Sequence, residues 1–136
     1  MSDYAASGGV YISTPADYIF AHPTTITGSI GVAIAFLTTE DSLEYIGISK
    51  DGVQTSKFAG WTPELPVTEE LDNIFNNLAE RSYRRFLEVV SESRKKDVSE
   101  INKIAGGRVW IGTDALQIDI IDELGSIDNA IEKAVS

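Results

Sequence analysis

The spacing of hydrophobic positions along this chain changes several times, and each change marks an element. The clearest pattern covers residues 71–90. Leu71, Ile74, Phe75, Leu78, Phe86, Val89 and Val90 recur at steps of three and four, with the small Ser82 on the same face. Thr68 stands ready to cap, and Glu69 and Glu70 fall in the first turn, where the helix dipole favours acidic groups. This predicts a long amphipathic helix. Asp97-x-x-Glu100 is a capping-box pattern that opens a second helix, ended by Gly106-Gly107. Ser126 caps the last helix, whose apolar face is Ile127, Ala130, Ile131, Ala134 and Val135. Residues 40–45 form a short helix stopped by Gly47, and Thr113 caps another over residues 114–116.

Strand patterns lie between these helices. Tyr18-Ile19-Phe20-Ala21 must stop at His22-Pro23, because proline has no N–H to give a ladder. Residues 26–37 are apolar and β-rich, with a tight bend at Gly28 and Gly31. Residues 48–50 and 53–55 flank Asp51-Gly52 as strand, turn and strand. Val109-Trp110-Ile111 and the Ile118, Ile120, Ile121 set predict two more strands, and residues 57–66 a loop. Residues 5–13 are dense in Ala, Ser and Gly, which suits a helix packed close to neighbouring backbone, with no strand before it. Strands alternating with helices make an α/β architecture. No internal repeat or low-complexity tract is visible.

Length and composition narrow the function classes. At 136 residues the chain reads as a single α/β domain over 1–136, able to bury a core without staples. Its net charge of −10 repels phosphate backbones and anionic lipid, so no nucleic-acid partner is expected. Having no cysteine excludes disulfides and thiolate nucleophiles, and a single histidine argues against a metal centre. Neither phosphate loop nor dinucleotide fingerprint is present, so no cofactor is expected. Residues 18–39 are uncharged and long enough to span a bilayer, but Pro23, Gly28 and Gly31 mark them as strand and turn. No signal peptide opens the chain.

Ser7, flanked by Ala5, Ala6, Gly8 and Gly9, has open space around its hydroxyl. At a helix start, free N–H groups there, Gly8 first, can stabilise an oxyanion. The same serine also fits a packed small-residue helix. A serine nucleophile needs a base. His22 is the one imidazole, at a strand end that equally suits a structural histidine. Lys57 is a loop lysine that serves as base only if desolvated. Ser29, in Thr27-Gly28-Ser29-Ile30-Gly31, either places a hydroxyl in a cleft or marks a bend in a buried strand.

Three stretches join these residues. Residues 3–13 (DYAASGGVYIS), residues 20–32 (FAHPTTITGSIGV) and residues 107–115 (GRVWIGTDA), the last followed by IDELG, resemble the signal peptide peptidase A, or protease IV, family. The resemblance implies a fold similar to the Clp-protease and crotonase superfamily, with repeated β-β-α units, truncated here at the N-terminus. It implies serine proteases that use a Ser–Lys dyad to degrade cleaved signal peptides and other extended apolar peptides. By position Ser7 matches the nucleophile, Gly8 the oxyanion donor and Ser29 the hydroxyl that orients the lysine.

Short family members carry the lysine in the loop matching residues 54–60, at a position that falls on Ala59. Lys57, two residues off, would sit roughly 6–7 Å away in an extended segment. The chain is similar to the C-terminal half of the long form, whose lysine comes from the N-terminal half. The expectation is therefore a soluble fragment, inactive alone, that lacks its base, an upstream strand and the glycine loop giving a second oxyanion donor. Its partners would be peptide substrates, the N-terminal half and further copies in a homo-oligomer. The whole protein would face the periplasm from a bacterial inner membrane, held there by a segment outside this chain. The alternatives are a self-sufficient protease using Lys57 or His22, and a non-catalytic scaffold of the same fold.

Overall fold

The computed structural model describes residues 1–56 and 59–136. They divide into two compact units: Met1–Val32 with Arg81–Ser136, and Ala33–Glu80.

In the first unit, strand β1 (Tyr4–Ala6) runs directly into helix α1 (Gly8–Ser13), with β2 (Phe20–Ala21) and β3 (Ile26–Gly28) following. The later chain adds α4 (Val98–Ile104), β4 (Val109–Ile111), α5 (Gly112–Gln117), β5 (Glu123–Leu124) and α6 (Ile127–Val135). β3 is central in a three-stranded sheet, parallel to β1 and antiparallel to β4. β2 and β5 pair in parallel as a separate two-stranded sheet. Thr25 and Thr27 are fully buried, and each hydroxyl donates to a carbonyl in the chain before or within β1: Thr25 to Ser2 and Thr27 to Ala5 (2.8 Å). These bonds let threonines occupy a buried strand without an unsatisfied hydroxyl.

The core joins Val10 of α1 and Ile30 to Phe86, Leu87 and Val90, Ile101 of α4 and Ala115 of α5. Phe86, Leu87 and Val90 lie on α3 (Glu69–Arg94), the long helix that the three-and-four spacing predicts. Thr68 caps it, its hydroxyl accepting from the Leu71 N–H (3.3 Å). Tyr11 meets Phe86 edge-on at 5.1 Å, and the Ser93 hydroxyl donates to Thr14 O (2.7 Å), so α1 is fixed on this helix at two points. Burying each of these large side chains contributes roughly 1.5–3 kcal/mol.

In the second unit, α2 (Glu40–Tyr45) ends before Gly47, whose φ of 75° makes the stop. Phe36, Trp61 and Phe75 form an aromatic cluster with centroids 4.2–6.2 Å apart. Lys50 bridges the Glu64 carboxylate and the Thr62 hydroxyl, both at 2.7 Å, and the bond from Lys50 holds the Glu64 pKa down to about 2.

Several expected elements differ. A strand does precede Ser7: β1 exists because residues 4–6 pair with β3, a long-range contact no local pattern announces. The small-residue segment is thus half strand and half helix. The strand expected over residues 26–37 stops at Gly28, where φ turns positive. No hairpin forms around Asp51-Gly52. Ile48 and Val53 are exposed there, and two strands without a packed face do not hold together in water.

Ile118, Ile120 and Ile121 lie in a turn, since Asp119 at φ 59° reverses the chain before β5 begins. Asp97 starts α4 without a side-chain cap bond, and α5 begins at Gly112, one residue before Thr113. Ser126 does cap α6, accepting from Asp128 N–H, while the Asn129 side chain takes the Ser126 N–H (2.8 Å). The face expected to be buried on α6 is exposed at Ile127, Ile131 and Val135. Among the described residues no helix is long and apolar enough to cross a membrane.

One ion pair ties the end of α3 to the turn before β5. Arg94 donates to both oxygens of Asp122 (2.7 and 3.1 Å), and Asp122 also accepts from the Ile19 N–H (2.7 Å). Arg94 first, then the Ile19 N–H, hold the Asp122 carboxyl below its ordinary range against the cost of burial. A depressed carboxylate pKa contributes stability that is complete above the unfolded value near 4 and lost as pH falls through the folded value. Asp122→Asn is therefore expected to cost about 1–3 kcal/mol at pH 7, with the gap to wild type closing at acid pH. Urea denaturation at pH 7 and pH 3 checks this, and an equal gap at both would count against it.

Candidate active site

The site is built where β1 gives way to α1. Ala6 is buried at the strand end, and the next residue, Ser7, adopts φ 52°, ψ −112°. A non-glycine residue rarely takes this conformation, which costs about 1–3 kcal/mol. It turns the chain sharply from strand to helix and lifts the serine to the apex. A side chain at Gly9 would lie 3.5 Å from the Ala5 Cβ, while at Gly8 there is only open space, so approach to the apex is unobstructed.

The Ser7 N–H donates to Gly28 O (2.8 Å), and Ser7 O accepts the first helical bond, from the Tyr11 N–H (3.0 Å). Both backbone groups are thus used in holding the turn. The Ser7 hydroxyl makes no cap bond. In the first turn of α1 the N–H groups of Gly8, Gly9 and Val10 precede that first helical bond and point out of the helix end.

Ser29 meets the same apex. The parallel register pairs Ala6 with Gly28, so the two serines follow the ends of adjacent strands, which run about 4.8 Å apart. Ser29 also has positive φ, 51°, and its N–H donates to Arg108 O (2.7 Å). Among the described residues neither serine hydroxyl is engaged in a hydrogen bond, and both residues are half-buried. Two free hydroxyls at the carboxyl ends of parallel strands stand where α/β sheets put their reactive sites.

His22 does not join them. His22 follows β2, in the other sheet; it is exposed, with Nδ1 2.9 Å from the Thr24 hydroxyl. It borders a separate cleft of about 760 Å³ between Met1, Phe20 and Ile127. Lys57 lies outside the described residues. The displaced titrations belong elsewhere. Tyr18 is raised chiefly by its bond to Glu123, and Glu64 and Asp122 are lowered as described above. Among the described residues no cluster of His, Asp or Glu is arranged to hold a metal.

Sequence reasoning missed what supports the apex. Gly28 O on β3 and Arg108 O just before β4 accept from the two serine N–H groups, and the indole of Trp110 on β4 covers Gly28. The sequence hints at this only in the glycines of TGSIG, since which side chain covers a glycine depends on strand pairing.

A serine on a strained strand-to-helix turn, beside a second serine at the end of the next parallel strand, is an arrangement that can serve nucleophilic chemistry. The chain belongs to peptidase family S49, which it matches over residues 1–136. It is 43% identical to the Protease 4 proteins of Haemophilus influenzae and of Salmonella typhi, over 98% of this chain and 22% of each relative. It is 38% identical to the chloroplastic serine protease SPPA of Arabidopsis thaliana, over 96% of this chain and 20% of that protein. The chain thus spans about a fifth of the length of these relatives. The family resemblance read from the three sequence stretches is borne out.

The strain at Ser7 can be measured. Glycine adopts φ 52°, ψ −112° without the clash that a Cβ brings, whereas alanine keeps it. Ser7→Gly is expected to melt above Ser7→Ala. Release of roughly 1–3 kcal/mol of strain outweighs the 0.5–1 kcal/mol that glycine adds to unfolded-state entropy. Calorimetric melting of the two variants side by side tests it, and equal or reversed melting points would refute a strained turn.

Proposed function

We propose that this chain is the nucleophile-bearing, C-terminal part of a long-form signal peptide peptidase A-like serine endopeptidase, on a Clp-protease/crotonase-like scaffold of repeated β-β-α units. The observation that carries the reading is the left-handed Ser7 between β1 and α1, with Ser29 beside it at the end of β3. Support also comes from the names and identities of the S49 relatives.

In this reading a neutral lysine from the N-terminal half of the same protein, oriented by the Ser29 hydroxyl, takes the proton from Ser7. The Ser7 Oγ attacks the peptide carbonyl. The Gly8 N–H and a donor from the upstream glycine loop hold the developing oxyanion, each such donor being worth about 2.7–4 kcal/mol. Collapse expels the amine, which leaves with the proton from the lysine, and an acyl ester remains on Ser7. Water, deprotonated by the same lysine, then hydrolyses the ester. The residue types suit these steps, since an unengaged hydroxyl is free to attack and a glycine N–H stabilises charge with no side chain in the way.

Substrates are cleaved signal peptides and other extended apolar peptides, bound as added strands. The assembled enzyme is a homo-oligomer facing the periplasm from a bacterial inner membrane, anchored by a segment outside this chain. Alone, the chain lacks its base and turns over little or nothing.

The test is hydrolysis of a fluorogenic apolar peptide by this chain alone and mixed with the N-terminal half, for wild type and Ser7→Ala. Turnover only in the mixture, abolished in Ser7→Ala, is the expected result. Ser7-dependent turnover by the chain alone would refute the split dyad and direct attention to Lys57. Silence in an associated mixture would leave a scaffold as the remaining role.

A further inference from the structure

We infer that Trp110 is a positioning residue for Ser7, acting through Gly28. This rests on the reading of Ser7 as nucleophile. The bond that fixes the apex runs from the Ser7 N–H to Gly28 O at 2.8 Å. Its acceptor is aimed by the conformation of Gly28, which sits at φ 77° on the last position of β3.

The α-carbon of Gly28 is covered closely. A Cβ built there would lie 2.6 Å from Trp110 Cδ1 and 2.9 Å from Arg108 O. The indole edge therefore occupies the space into which Gly28 would swing if its peptide rotated. Dense packing of this kind transmits position, because a ring in contact on one side leaves no low-energy displacement toward it.

Trp110 is itself held. It lies on β4 opposite Thr27, and its Nε1–H donates to Ile104 O (3.1 Å) at the end of α4. The Arg108 guanidinium stands 5.5 Å from the ring centroid, and the ring packs against the core that contains Ile101. The same segment grips the following turn through backbone bonds, Ser29 N–H to Arg108 O (2.7 Å) and Gly107 N–H to Ile30 O (2.9 Å). The path from Trp110 to the nucleophile is thus ring, α-carbon, carbonyl, N–H, with no flexible side chain in it. A reacting atom displaced by about 1 Å loses on the order of a hundredfold in rate. A residue that keeps the Gly28 carbonyl from tilting accordingly acts on turnover more than on substrate binding.

The experiment compares Trp110→Ala, Trp110→Phe and Ser7→Ala with wild type in the full-length protease. Amide hydrogen exchange is followed on peptides covering residues 4–13 and residues 127–135, and steady-state kinetics on an apolar peptide. Expected for Trp110→Ala is faster exchange over residues 4–13 with residues 127–135, on α6 away from the ring, unchanged. Its kcat should fall about tenfold or more while KM stays within about twofold. Trp110→Phe, which keeps a ring over Gly28, should recover most of both.

Unchanged exchange at residues 4–13, an unchanged kcat, or a loss spread equally over both regions would overturn the proposal. So would a Trp110→Phe variant as poor as Trp110→Ala. If Trp110→Ala does not fold, Trp110→Leu carries the same comparison. If Ser7→Ala still turns over, the nucleophile reading has failed, and exchange over residues 4–13 then decides by itself whether Trp110 holds the apex.

Discussion

A serine backbone at φ 52°, ψ −112° lies above its relaxed state, so something must keep it there, and here that is the pairing of two parallel strands. The Ser7 N–H is bonded to Gly28 O while the Ser7 carbonyl starts helix α1. Neither bond alone would hold the turn, since each contributes only about 1 kcal/mol net. They act together because both ends are anchored elsewhere. β1 is locked to β3 by the buried threonine hydroxyls, and α1 is seated on α3 through Val10, the Tyr11–Phe86 ring pair and the Ser93 bond to Thr14. The strain at one residue is offset by burial spread over a core.

Chemically, the turn sets two unengaged hydroxyls, the N–H groups of a helix start and open access side by side. Among the described residues the one imidazole stands apart from them: His22 follows β2 in the other sheet and faces Thr24. A serine hydroxyl is a weak nucleophile near neutral pH unless a base takes its proton.

Local signals in the sequence were dependable where local physics decides. The long helix, its Thr68 cap, the Gly47 stop, the Ser126 cap and the end of β2 at His22-Pro23 all depend on residues within a few positions of one another. Elements that depend on distant partners could not be read that way. β1 exists only because β3 lies beside it, and the expected hairpin over residues 48–55 fails because nothing covers it. At the site, Ser7, Gly8 and Ser29 were visible as unusual residues in unusual surroundings. The positive φ of Ser7 and Ser29 and the indole over Gly28 were not, because they are properties of pairing and not of composition.

The order of these parts along the chain has a temporal consequence. Ser7 and Ser29 are made before the segment that braces them, Gly107 to Trp110, which comes about eighty residues after Ser29. At a synthesis rate of about 5–20 residues per second, several seconds separate the emergence of the two serines from that of their support. During that interval β3 lacks β4 and Gly28 is uncovered, so the carbonyl that holds the turn at Ser7 is free to tilt. A nascent chain therefore carries both serines before their full bracing, and the apex is completed only as β4 docks.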